Sequence, residues 1–328
     1  MTNTTRWGIM GTGSIAHSFA DALLETPDAV IQAIGSRNTA TAQKFADEFH
    51  CGTHYGSYAE LAADPQVDII YIATPHSAHA ENMQLCLQAG KAVLCEKPFT
   101  LNQREAEAVV ALARQKKLFL MEAMWSRCLP ALREAKHLLE TGAIGTPRQL
   151  QADFGFSSEF DAAHRLRNPA LGGGALLDVG IYPLSLAAYL LGDVEAAQAQ
   201  AELGATGVDE QTVFTLRHRG GGLSSCTCAI NAESPLTLTV FGSGGHLRLN
   251  SPFFRAQNLT VTNSEGKEHI VRRPCIGNGY AHEAIEAARC LQAGLTESPL
   301  MPLDETLAIM GWLDTMRAQC GIRYPVDR

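Results

Sequence analysis

An apolar run, Ala92-Val93-Leu94-Cys95, stops at Glu96, Lys97 and Pro98. A carboxylate, an ammonium and a proline at the end of a core strand admit two readings. One is a strand exit with a surface ion pair and a turn-forming proline. The other is a lysine that faces a ligand, because open α/β sheets hold their ligands at the carboxyl ends of parallel strands. An ammonium placed there would stabilise negative charge developing on a substrate oxygen. Asp178 and Tyr182 form a second candidate pair, four residues apart in GGGALLDVGIYPLSLAAYLLG (172–192) and therefore on one helical face. A structural reading is open here too, since a tyrosine ring can be buried and an aspartate can bind backbone. Pro183 removes a helical amide and predicts a kink beside Tyr182.

A third group reads as a dinucleotide site. In Gly11-Thr12-Gly13-Ser14-Ile15-Ala16 the first glycine permits a tight turn, the second lets the backbone approach a pyrophosphate, and Ala16 allows close helix packing. The helix amides that follow would face the phosphates. Further on, where an acidic side chain would hold the ribose of NAD, the chain reads Gly35-Ser36-Arg37-Asn38. A hydroxyl and a guanidinium bind a 2′-phosphate that an acid would repel, so NADP is expected and NAD is less favoured. An arginine merely exposed in a loop is the alternative. Ala73-Thr74-Pro75-His76-Ser77-Ala78-His79 leaves another strand and should lie beside the dinucleotide. His76 and His79, three apart, could contact cofactor, cap a helix or bind metal; no metal site is expected.

The elements that must position these groups follow from periodicity. Strands are predicted at 7–10, 30–35, 68–73, 92–95 and 118–122, with helices near 14–25, 39–49, 77–89 and 102–116 between them, which makes a doubly wound parallel sheet. Asn102 with Glu105 three residues later marks a helix start and leaves Glu96-Lys97-Pro98 in a strand-to-helix loop. After Pro130 come a helix near 130–141, a strand near 147–155, a helix near 172–191 and alternating runs such as QTVFTLRH and LSSCTCAI, separated by glycine-rich turns. These predict an α+β domain on a large, mostly antiparallel open sheet. Helical patterns return at 280–293 and 303–319. The expected division is a Rossmann domain over 1–123 and a substrate-binding and oligomerisation domain over 124–328, with the terminal helices able to pack back on the first.

The 328 residues are 46% hydrophobic and 18% charged with a net charge of -8, which describes a globular protein without a basic face for nucleic acid. The N-terminal MTNTTRWGIMGTG is not a signal peptide, and no run of about twenty apolar residues is read, so a cytoplasmic protein with no membrane partner is expected. Nine scattered cysteines fit reduced thiols. Cys226 and Cys228 share a strand face, but no second pair or nearby histidine completes a tetrahedral set.

The chain resembles the family named after glucose-fructose oxidoreductase, inositol dehydrogenase and MocA. The resemblance covers nearly the whole length, at Gly11 to Ala16, Ala73-Thr74-Pro75, Glu96-Lys97-Pro98, Gly142-Ala143-Ile144-Gly145, and Asp178 with Tyr182. Within the family, MEAMWSRCLP (121–130) and LGGGALLDVGIYPL (171–184) are most similar to dimeric dihydrodiol dehydrogenases and NADP-dependent D-xylose dehydrogenases. The resemblance implies that Lys97 is catalytic, that the peptide before Pro98 is cis, and that Asp178 and Tyr182 project into the same cleft. It also implies that Trp125 and Arg127 shape the substrate pocket. Many members carry histidine in place of Tyr182, and Cys128 departs from the aromatic residue usual in its segment.

The expected activity is NADP-dependent hydride transfer at a carbinol carbon of a sugar, cyclic polyol or trans-dihydrodiol. Lys97 would stabilise the oxyanion and favour the ionised form of Tyr182 as proton acceptor. Asp178 would hold an adjacent hydroxyl or orient the pair, and Glu96 would fix the loop or the lysine. Reduction of a keto-sugar and a non-catalytic dinucleotide-binding regulator are the alternatives. The expected partners are a small polyhydroxylated substrate and further copies of the chain, joined as a homodimer or higher oligomer through the second-domain sheet.

Overall fold

The computed structural model describes residues 4–157 and 159–327; residues 1–3, where the N-terminal reading above begins, Ser158 and Arg328 lie outside the described residues. The chain divides into two compact units, Met1–Trp125 with Ile276–Ala308 and Ser126–Cys275 with Ile309–Arg328.

In the first unit, strands alternate with helices as β1 (Thr5–Met10), α1 (Ser14–Leu24), β2 (Ala29–Gly35), α2 (Thr39–Glu48), β3 (His54–Tyr55), α3 (Tyr58–Ala63), β4 (Ile69–Ile72), α4 (His79–Gln88), β5 (Ala92–Glu96), α5 (Gln103–Lys116) and β6 (Leu120–Ala123). The six strands form one parallel sheet in the order β3-β2-β1-β4-β5-β6. Strand order reverses between β1 and β4, which is where a doubly wound sheet opens a crevice for a ligand. Every residue of β4 and β5 is buried, so these strands read as continuous apolar runs instead of alternating ones. Asn102 caps α5 by accepting from the Glu105 amide at 2.9 Å, which stops the chain from running on as strand after Pro98.

The second unit is built on an eight-stranded sheet in the order β14-β13-β12-β11-β7-β10-β9-β8. Its strands are β7 (Pro147–Gly155), β8 (Val194–Leu203), β9 (Asp209–His218), β10 (Leu223–Ala229), β11 (Leu238–Gly242), β12 (Gly245–Leu249), β13 (Asn258–Asn263) and β14 (Glu268–Arg272). All neighbours are antiparallel except β7 and β10. Helix α6 (Pro130–Glu140) precedes β7, and α7 (Ile181–Leu191) packs on β7 and β10. Helix α8 (Ala281–Gln292) belongs to the first unit, and α9 (Leu303–Cys320) follows it in the chain.

Two expectations are corrected here. The predicted proline kink is a π-helical turn over Leu176–Gly180, directly before α7. A wider turn accommodates the bond that Pro183 cannot donate, so the irregularity falls before Tyr182 and includes Asp178. Second, the stretch Pro169–Leu191 is long and apolar enough to cross a membrane, but 83% of its apolar window is buried in the protein and it is the core helix of this unit. None of the nine cysteines is in a disulfide. Cys226 and Cys228 do share a face, and that face is the buried one. Among the described residues no three or more histidine, cysteine or acidic side chains converge on a metal position.

Candidate active site

Parallel pairing brings the ends of β1, β2, β4 and β5 to one edge of the first sheet, and four of the sequence motifs sit there. The Gly11 amide donates to Gly35 O at 2.9 Å, and the Ala73 amide to Met10 O at 2.9 Å, so the three loops leave the sheet side by side. Gly11 has φ +107°, and a Cβ there would lie 2.7 Å from Ala73 O. Only glycine fits this turn. At Gly13 a Cβ would meet nothing within 4 Å, and no side chain caps the start of α1. Exposed Gly13 and Ser14, with half-buried Thr12 and Ile15, therefore present an open helix N-terminus, the arrangement that receives a phosphate.

Beside it, Ser36 is buried and its hydroxyl accepts from the Asn38 amide at 3.4 Å, while Asn38 caps α2 by accepting from Thr41 N at 3.1 Å. Arg37 is exposed and hydrogen-bonds Tyr58, whose phenol is raised by burial despite the neighbouring guanidinium. Tyr58 was not singled out from sequence. It opens α3 directly after Ser57, which accepts from Glu60 N and donates to the Glu60 carboxylate, a reciprocal cap readable as S-x-x-E.

The third loop contradicts part of the sequence reading. His79 is completely buried, with Nε2 at 2.9 Å from Thr74 O and Nδ1 at 2.8 Å from Pro98 O. Two carbonyls would favour a doubly protonated ring, but desolvation is the larger effect and holds its pKa below the ordinary histidine value. His79 thus ties the loop after β4 to the loop after β5 and offers no edge to a cofactor. Asn82 adds to the tie by donating to Thr74 Oγ1 at 3.0 Å. Ala73 and Thr74 are buried, Pro75 is exposed, and His76 is half-buried with its ring 5.7 Å from that of His79.

Glu96 is buried and accepts from the Tyr71 hydroxyl. Lys97 follows it, half-buried, and the Lys97–Pro98 peptide is cis. Trp125, at the end of the same unit, is 2% exposed and stacks on Tyr280 at 4.4 Å.

In the second unit, Asp178 lies in the π-turn and Tyr182 in the first turn of α7, both buried. Asp178 pairs with Arg165, Nη1 to Oδ1 at 2.8 Å, across a loop that carries no periodicity. Tyr182 lies against Phe154 at 5.2 Å and Phe254 at 5.8 Å, and those two rings stack at 4.5 Å. An apolar ring face with a phenol at its edge suits a ring-shaped substrate. The turn itself is anchored by Asp209, completely buried, whose Oδ2 accepts from Leu176 N and from Thr212 Oγ1, each at 2.7 Å. Desolvation pushes the Asp209 carboxyl up to about 6 against the pull of these bonds. Arg127 is completely buried and donates to Ser185 Oγ at 2.9 Å and Ser185 O at 2.7 Å, beneath Tyr189. It braces α7.

Residues 5–124 match the model of an oxidoreductase family with an NAD-binding Rossmann fold, and residues 132–248 match the GFO/IDH/MocA C-terminal domain. Trans-1,2-dihydrobenzene-1,2-diol dehydrogenase of Mus musculus is 38% identical over 98% of this chain and 99% of its own. D-xylose 1-dehydrogenase (NADP(+)) of Hypocrea jecorina is 35% identical over 98% and 93%. A 3-ketoreductase from Actinomadura kijaniata, solved with NADP and TDP-benzene, superposes with a TM-score of 0.87 at 27% identity, covering 97% of this chain and 98% of that one.

Proposed function

The chain belongs to the GFO/IDH/MocA oxidoreductase family, and we propose that it transfers hydride between NADP and a carbinol carbon of a sugar, cyclic polyol or trans-dihydrodiol. The observation that carries this reading is the open, uncapped N-terminus of α1 at Gly13, beside an arginine at the tip of β2. Gly11 to Ile15 would hold the pyrophosphate, and Ser36 with Arg37 the 2′-phosphate. When bound, the nicotinamide supplies the hydride acceptor or donor. The chain's own residues supply the rest. Lys97 stabilises negative charge on the substrate oxygen, Tyr182 takes or returns the hydroxyl proton, and Asp178, held by Arg165, orients an adjacent hydroxyl. Phe154 and Phe254 give the substrate an apolar face to lie on. Reduction of a keto-sugar, the same chemistry reversed, draws support from the likeness to the 3-ketoreductase.

Cofactor choice is directly testable. Arg37→Ala is expected to raise the dissociation constant for NADP about tenfold or more, the worth of one charge-assisted hydrogen bond, with little change for NAD. Fluorescence titration of both dinucleotides checks this, and equal losses for the two would contradict the assignment.

We also propose self-association through the outer face of the second sheet, where Val213 is 52% and Leu223 is 50% exposed on adjacent strands. A charge there, as in Val213→Lys, is expected to shift sedimentation towards the monomer; unchanged sedimentation would exclude this face.

A further inference from the structure

Glu283 lies in the first turn of α8 and is completely buried. Neither of its carboxyl oxygens has a hydrogen-bond partner among the described residues. An ionised carboxylate in that position would surrender its hydration with no donor to replace it, which ordinarily drives such a group to its neutral form. The titratable groups around it come from three elements. Glu96 at the tip of β5 interacts with it electrostatically, Tyr71 of β4 donates to Glu96, and Tyr280 precedes it on its own helix. Cys95 and Lys97 flank Glu96 in the chain. From α1 comes an uncharged ring, Phe19, stacked on Tyr71 at 3.6 Å, and Asn278 donates to Ser18 O at 2.7 Å, which fixes the start of α8 against α1.

We infer that Glu283 and Glu96 hold one proton between them, with Glu283 the neutral acid that donates to the Glu96 carboxylate, and that Glu283 is thereby a positioning residue for Lys97. The inference rests on the reading of Lys97 as the charge that meets the substrate oxygen. A carboxyl with no donor facing it is satisfied by becoming a donor itself, and Glu96 is the acceptor at hand. Two donors, the Tyr71 hydroxyl and the Glu283 acid, then converge on Glu96 and fix the backbone that leads into Lys97. The charge balance follows as well. Two ionised carboxylates would draw the ammonium back towards the sheet, whereas one carboxylate already saturated by donors leaves it for the substrate. Burial and the negative charge of Glu96 both act in this direction, holding the Glu283 carboxyl well above the ordinary carboxylate range.

A carboxyl raised on folding binds more protons in the native state, so the stability it contributes is full at low pH and is lost as pH rises towards its raised value. That window begins in the ordinary carboxyl range and extends upward from it. The test compares the full-length wild type with Glu283→Gln and Glu283→Leu. Infrared spectroscopy in D2O at neutral pH should show the carbonyl band of a protonated carboxylic acid in the wild type and not in Glu283→Gln. Thermal stability should weaken for the wild type as pH rises from the ordinary carboxyl range, and should weaken less steeply for Glu283→Gln, whose amide donates at every pH. Glu283→Leu cannot donate and should lower kcat about tenfold with NADP titration unchanged, a loss that Glu283→Gln restores. The inference is overturned if the band is missing, if it persists in Glu283→Gln, or if glutamine is as damaging as leucine. Should the leucine variant not fold, the band and the glutamine pH profile decide. Those two measurements need no substrate, so a failure of the proposed reaction is distinguishable from a failure of the shared proton.

Discussion

Lys97→Met and Tyr182→Phe are each expected to lower turnover by about a hundredfold to ten-thousandfold, the range for a positioned acid or base. Neither substitution removes much packing. Lys97 is half-buried and methionine keeps most of its stem; phenylalanine keeps the ring that lies against Phe154 and Phe254. The loss should therefore appear in kcat, with the melting temperature nearly unchanged. If the ammonium and the phenol serve one proton and one developing charge, their effects do not multiply, and the double variant should be little worse than the more impaired single one. Oxidation should also rise with pH as the shared proton is lost, and Tyr182→Phe should remove or displace that limb. Near-normal turnover with the same limb in Tyr182→Phe would reduce Tyr182 to a packed aromatic.

The second large effect concerns stability. Asp209→Ala is expected to cost about 3–5 kcal/mol, because two hydrogen bonds to a buried carboxylate, each worth about 1.5–3 kcal/mol, are lost together. Gly174 shows how closely the carboxylate is enclosed: at φ +120°, a Cβ on it would fall 2.3 Å from Asp209 Oδ1. Since Asp209 holds the Leu176 amide at the head of the turn carrying Asp178, the variant should loosen the site as well as the fold. The pH dependence has a definite sign. The folded carboxyl, near 6, stands above its ordinary value of 3.8, so the wild type loses this contribution as pH rises from about 4 to about 6. In Asp209→Ala the part of the slope that Asp209 contributes should vanish. Urea unfolding across this interval reads both effects, and an unchanged midpoint would contradict the anchoring role.

What the sequence could and could not show follows from the physics of each residue. The loops after β1, β2, β4 and β5 were legible because parallel strands necessarily send their C-terminal ends to one edge, so glycine spacing and Glu96-Lys97-Pro98 could be placed without side-chain detail. Strands β8 and β14 were not, since VEAAQAQAEL and EHIVR lack the β-branched alternation that marks a strand; pairing with neighbours makes them strands. Helix α3, six residues long, is too short to show a period. The surroundings of His79 and Arg127 were hidden for one reason. Polar type suggests a surface or a ligand, and only packing reveals that a ring lies between two carbonyls or that a guanidinium donates to Ser185. Arg165 and Glu283 carry no local signal, because one meets Asp178 across a loop and the other is an ordinary polar position of an amphipathic helix until its burial is seen.

The central claim is hydride transfer to NADP from a carbinol carbon, and isotope transfer tests it most directly. The enzyme is incubated with NADP and a panel of aldoses, inositols and trans-dihydrodiols, each also prepared with deuterium on the carbinol carbon. At least one substrate should give NADPH absorbance, with deuterium recovered at carbon 4 of the nicotinamide and the signal abolished in Lys97→Met. Tight NADP binding with no reduction and no deuterium transfer across the panel, and none from labelled NADPH to the matching keto compounds, would contradict the account and leave a dinucleotide-binding regulator in its place.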